Sequence, residues 1–151
     1  MVIYLGADHR GFNLKEGLEQ FLKESGYTVV DLGNTRYEEG DDYTDFVKSV
    51  AGKVSADPLS GRGIVACGSG VGADIVANRF RGVRSVLGFS PDQAADSRHD
   101  DDTNVLSLAA DYLDLDQAKK IVSAWLQTPF SGEERHKRRI QEIDELGYTS
   151  N

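Results

Sequence analysis

The chain has 151 residues, room for one domain with a single sizeable core, and no apolar run approaches the roughly 20 residues of a membrane span. Its 25 acidic residues outnumber 17 basic ones and leave a formal net charge of -8. That is the wrong sign for a protein that neutralises nucleic-acid phosphates or an anionic membrane surface. A lone cysteine excludes an internal disulfide and a thiolate zinc cluster, and no signal-peptide pattern precedes the first apolar run, so the expected compartment is the cytoplasm.

Two hydrophobic periods alternate along the chain. Val2 to Leu5 is a short apolar run ending at Gly6, as a buried strand requires. Leu14, Leu18, Phe21 and Leu22 then recur at helical spacing up to Gly26, a natural helix stop. Tyr27 to Leu32 predicts the second strand. An acidic loop, Tyr37 to Asp42, leads to a helix carrying Phe46, Val47, Val50 and Val54. Gly63 to Cys67 predicts the third strand, residues 72 to 81 a short helix, and Val83 to Phe89 the fourth strand. A helix from Pro91 to about Arg98 precedes the fifth strand, Val105 to Leu108. Ile121, Val122, Ala124, Trp125 and Leu126 mark the next helix, and a charged helix fills 133 to 146. Continuous apolar strands alternating with helices predict one three-layer α/β/α sandwich spanning 1–151, Rossmann-like, with a five-stranded parallel sheet.

Ligands of such sheets collect outside the carboxyl ends of the strands. Strand one is followed by Asp8-His9-Arg10-Gly11 and strand three by Cys67-Gly68-Ser69-Gly70-Val71-Gly72, while Arg98 to Asn104 stands just before strand five. Three glycines in five residues between strand and helix let backbone N–H groups face an anion, and Cys67 at the head of that turn is favoured as thiolate. A thiolate can take a proton from carbon beside a carbonyl; the plain alternative is a small residue finishing a buried strand. Asp8 can orient His9 as a donor, or simply form a turn beside a surface histidine. Arg135 and Arg139 share one helix face and can clamp a phosphate, or sit on a solvated face. The glycine loop also satisfies G-x-G-x-x-A through Ala73, with Asp92 downstream, which keeps a dinucleotide-dependent oxidoreductase as an alternative. Asp100, Asp101, Asp102 and His99 offer a carboxylate-rich set of the kind that suits Mg²⁺ or Mn²⁺, but an exposed acidic turn is the commoner use.

Taken together, these segments resemble the ribose-5-phosphate isomerase B and galactose-6-phosphate isomerase family from Gly6 to about Asp144. The resemblance runs through Asp8-His9-x-Gly11-Phe12-x-Leu14-Lys15, Asp42-Tyr43 and the loop 67 to 72. It continues through Ala77-Asn78-Arg79, Gly82-Val83-Arg84, Asp102 to Leu106, Pro129-Phe130-x-Gly132 and Arg135-His136-x-x-Arg139. It implies aldose-ketose isomerisation of a phosphorylated sugar through a cis-enediolate, without metal or other cofactor. It also implies a homodimer, with tetramers an open possibility, whose sites draw on both subunits, with the helix at 133–146 reaching the partner. By the same resemblance Cys67 moves the proton, Ser69 and the amides of Gly68, Gly70 and Gly72 hold the enediolate oxygens, and Asp8, His9 and Tyr43 line the sugar. Arg135 and Arg139 take the phosphate.

The chain departs from the family pattern between 98 and 111 and by one extra residue before Arg135. The ring-opening histidine falls on Asp100, with His99 one residue early, its asparagine neighbour falls on Asp101, and a phosphate arginine falls on Asp111. The acid is then either His99 or an Asp100 of raised pKa, and the phosphate rests on Arg135, Arg138 and Arg139, or the sugar is a different one. A non-catalytic sugar-phosphate-binding homologue is the alternative that these changes leave open.

Overall fold

The computed structural model describes residues 1–146, and every strand and helix expected within that span is present. The single-domain reading extends over 147–151, which lie outside the described residues. In chain order the elements are β1 (Val2–Ala7), α1 (Phe12–Glu24), β2 (Thr28–Asp31), α2 (Tyr43–Ala56), β3 (Gly61–Cys67), α3 (Val71–Ala77), β4 (Ser85–Gly88), α4 (Pro91–Asp101), β5 (Val105–Ala109), α5 (Leu115–Gln127) and α6 (Glu134–Glu145).

All strands are parallel, in the order β2-β1-β3-β5-β4. Because parallel crossovers are right-handed, each reversal of direction across the sheet sends a helix to the opposite face. The two cores follow that division. Ile3, Leu5, Ile64, Leu106 and Leu108 pack with α1, α4 and α5 residues such as Leu18, Ala94, Ile121 and Trp125. On the other face Val65, Cys67 and Val105 pack against Val47, Val50 and Val54 of α2 and Ala73 and Ala77 of α3. The period-two alternation of β3 therefore points Cys67 towards α2 and α3.

Strand ends shift by one or two residues, and two helix ends differ by more, both with local causes. The helix expected over 72–81 stops at Ala77, because the Asn78 side chain donates to the carbonyls of Asp74 and Ser85 and accepts from the Ser85 N–H. Helix α4 runs on past Arg98 to Asp101. Buried Arg98 donates to the Asp102 carboxylate at 2.6 Å and to the Thr103 carbonyl, and Asp102 closes the helix with φ of 46°. Arg84 adds donors to the carbonyls of Asp101 and Asp102. This network locks the turn into β5.

Trp125, fully buried, donates from its indole nitrogen to Thr103 Oγ1 at 2.9 Å and so ties α5 to the same turn. Trp125→Phe loses that bond and part of the ring volume. The expected destabilisation is about 1–3 kcal/mol, read as a lower urea midpoint with unchanged slope.

Candidate active site

At the carboxyl edge of the sheet, three neighbouring strands end in the residues that carry chemistry. Cys67 is 5% exposed and closes β3. Its carbonyl accepts from the Ala110 N–H at 2.9 Å and the next carbonyl, of Gly68, accepts from the Asp111 N–H at 3.0 Å, so the exit of β5 holds the start of the loop. Gly70 then turns the chain into α3 with φ of 72°, and a Cβ there would lie 2.5 Å from Leu87 Cδ1. A side chain at Gly72 would strike the Tyr43 ring at 2.6 Å, so Tyr43 lies directly against the loop. The N–H groups that open a helix have no intrahelical partners, and here they follow directly on Cys67. A base beside an array of N–H donors can move a proton and hold the oxyanion that results.

His9 joins this edge from the end of β1. The residue that orients it is Asp41, not Asp8. The His9 backbone N–H donates to Asp41 Oδ1 at 2.8 Å, and ring Nδ1 lies 2.8 Å from the same oxygen. Asn34 Nδ2 donates to the other Asp41 oxygen at 3.0 Å. Asp8, buried, accepts the Gly11 N–H at 2.9 Å and forms the turn that carries His9 and Arg10. Sequence reading passed over Asp41 because it stands in the acidic loop between β2 and α2, 32 residues from its partner; only the acidity of that loop marked it.

The Asp41 hydrogen bond, helped by the charge of Asp8, raises the His9 pKa. Burial pushes Asp41 up, but the bonds from Asn34 and His9 outweigh it and leave its carboxyl below the ordinary range. A raised histidine stabilises the fold fully below its unfolded value near 6.5 and loses that contribution as pH rises through the folded value. A lowered carboxyl contributes fully above about 4 and loses it on acidification. The pair is thus at full strength between about pH 4 and 6.5. Asp41→Asn is expected to return His9 towards its ordinary titration, followed by the shift of its ring protons in NMR against pH.

The other sequence-predicted residues lie elsewhere. Helix α4 runs back from the carboxyl edge, and its 11 residues span about 16 Å, so His99, Asp100 and Asp101 sit at the amino edge of the sheet. Within one chain Arg98 to Asn104 therefore stands apart from Cys67. Arg98, Asp102 and Asn104 are committed to the turn, Asn104 through bonds to Arg84 N–H and the Gly82 carbonyl. His99, Asp100 and Asp101 remain exposed.

Helix α6 packs at this same edge. His136, buried, places Nδ1 2.8 Å from Ser131 Oγ and 3.6 Å from Asp100. His99 Nδ1 lies 2.7 Å from Asp100 Oδ1. Arg135 and Arg139 are exposed on α6, Arg135 paired with Glu133 at 2.8 Å and Arg138 3.8 Å from Glu142. The His99 contact, with His136 and Arg135 nearby, lowers the Asp100 pKa, opposite in direction to the raised value that a proton-bearing Asp100 would need. His99, Asp100 and His136 each offer a ligand atom within 4.8 Å of the others, as do Asp8, His9 and Asp41. His9 with Asp41, and His99 and His136 with Asp100, already engage each other through hydrogen bonds and close ion pairs, and Asp8 accepts the Gly11 N–H.

Comparison with known proteins follows from this geometry. The profile of the family described as Ribose/Galactose Isomerase matches residues 3–143. Ribose-5-phosphate isomerase B of Mycobacterium tuberculosis is 39% identical over 149 residues, covering 99% of this chain and 91% of that protein. The Escherichia coli protein of the same name is 41% identical over 141 residues, 93% of each chain. Among solved structures, ribose-5-phosphate isomerase B from Mycoplasma genitalium with bound ribulose-5-phosphate superposes with a TM-score of 0.95 at 37% identity, covering 99% of this chain and 97% of that one.

Proposed function

Because the chain belongs to the ribose/galactose isomerase family, we propose that it interconverts an aldose phosphate and its ketose, with ribose 5-phosphate and ribulose 5-phosphate as the expected pair. The observation that carries the mechanism is Cys67 at the head of the glycine loop, with Tyr43 against that loop and His9, oriented by Asp41, at the end of the neighbouring strand. As thiolate, Cys67 removes the proton from C2 of the open-chain aldose. The electron pair moves into the C1–C2 bond and the carbonyl oxygen becomes an enediolate oxygen facing the N–H groups of the loop, with Ser69 beside them. Return of the proton to C1, with the O2 hydroxyl proton passing to O1, gives the ketose.

Ring opening needs a separate acid for the ring oxygen, and we assign that role to His99, with Asp100 supporting its imidazolium and Asp101 beside it. Arg135 and Arg139 meet the phosphate. These residues occupy the amino edge of the sheet, one sheet height from Cys67, so a single chain cannot bring both sets to one sugar. Two copies can. The assembly we propose is a homodimer in which the Cys67 edge of one subunit faces the α4 and α6 edge of the other. The compartment we propose for the reaction is the cytoplasm.

The test is proton exchange followed by NMR in D₂O with a panel of aldose phosphates and free aldoses. Deuterium entering C2 while ketose appears establishes the isomerase and names its sugar. Binding of a sugar phosphate without exchange on any substrate would instead favour the non-catalytic homologue that Asp100 and Asp111 keep in view.

A further inference from the structure

The carboxyl edge that holds Cys67 is rich in negative charge. Asp8 and Asp41 flank His9, and Asp111 follows β5. A phosphomonoester, itself close to two negative charges, meets repulsion from all three unless a cation stands among them. Arg10 stands there. It leaves the turn after β1, crosses over the loop that ends β3, and donates from Nη2 to Asp111 Oδ2 beyond β5. A Cβ on Gly68 would lie 2.4 Å from Arg10 Cζ and Nε, so the guanidinium rests against the Gly68 backbone, next to the reactive cysteine. Asp111 is itself fixed to this loop through its N–H bond to the Gly68 carbonyl.

The pair is not a buried strut. The Arg10 side chain is 56% exposed and that of Asp111 34%, and ion pairs so exposed add little to stability. Asp111 is the sole hydrogen-bond partner of Arg10 among the described residues. A guanidinium carries five N–H donors along two usable edges, so most of its capacity faces open solvent at the mouth of the site.

We propose that Arg10, held over the glycine loop by Asp111, is the cation through which the Cys67-bearing subunit recognises the phosphate of its substrate. This rests on the isomerase reading. His9, charged more readily through Asp41, gives Arg10 a second cation on the same edge. The phosphate is then gripped from both sides of the site, by Arg10 and His9 on one copy and by Arg135 and Arg139 on the other.

The test compares the whole protein with Arg10→Ala and Arg10→Gln, using steady-state isomerisation and direct calorimetric titration with inorganic phosphate. The expected result is a KM raised about 10- to 100-fold with kcat within about threefold, and phosphate affinity weakened in parallel. Arg10→Gln keeps the length of the side chain without the charge and is expected to behave like Arg10→Ala, which separates charge from packing. Unchanged KM and unchanged phosphate affinity in a wild-type-like fold would overturn the proposal while the isomerase reading stands. If the wild type shows no exchange at C2, the isomerase reading fails, and equal phosphate affinities in the wild type and Arg10→Ala would then dismiss Arg10 as well.

Discussion

Cys67→Ala is expected to suppress deuterium incorporation at C2 while leaving the fold and the binding of sugar phosphate intact. The side chain is small, 5% exposed and packed among Val65, Ala73 and Val105, so losing its sulfur costs the core little volume. The chemistry loses its base. Positioned proton transfer typically contributes 10²- to 10⁴-fold, and the expected fall in exchange rate is of that order, about 10³-fold. Cys67→Ser is expected to be nearly as poor, since a hydroxyl is far less acidic than a thiol. Exchange persisting in Cys67→Ala within about tenfold of the wild type would remove the cysteine from the reaction.

Mixing two dead enzymes should restore activity. In the proposed dimer each site takes Cys67 from one subunit and His99 from the other. Cys67→Ala and His99→Ala are each expected to lose about 10²-fold or more. Unfolded together and refolded, the two chains reassort at random, so about half of the dimers are hybrids. Every hybrid has one site lacking both groups and one site with both intact. The mixture therefore recovers about a quarter of wild-type turnover per site. Should the mixture stay as poor as its parents, the shared site is wrong. A fully active His99→Ala would show that the acid lies elsewhere.

The elements were legible because strand and helix periods alternate cleanly in this chain, and the motif glycines could be assigned before any coordinates. The loop 67–72 shows why: Gly70 needs positive φ, and Gly68 and Gly72 lie against Arg10 and Tyr43. Because 98–104 stands just before β5, sequence order already set His99 and Asp100 at the amino end of the sheet, and α4, running through Asp101, carries them there. Contacts between distant loops were hidden. Asp41 to His9 spans 32 residues and Arg10 to Asp111 spans 101, and neither partner predicts the other locally. Motif membership also does not by itself place a residue in the site. Lys15 belongs to the same conspicuous segment as His9, yet it is buried between Asp31 and Glu16 and ties α1 to the end of β2. Burial alone would pull its pKa down, but those two carboxylates outweigh it and raise it.

The strand order also imposes a schedule on the growing polypeptide. As the ribosome delivers the chain, β1, β2 and β3 can pair as soon as residue 67 has emerged, since each finds its neighbour within that stretch. β4 comes next but has no such neighbour, because its ladder partner is β5 alone. Residues 85–88 must therefore wait, unpaired, until 105–109 are made and settle between them and β3. The nascent protein passes through a stage in which half a sheet is built with an open edge at β3, and the strand that closes it is among the last to be synthesised. A translational pause just before residue 105 would prolong the exposure of that edge, which makes this stretch the point at which chaperone attention or misassembly should concentrate.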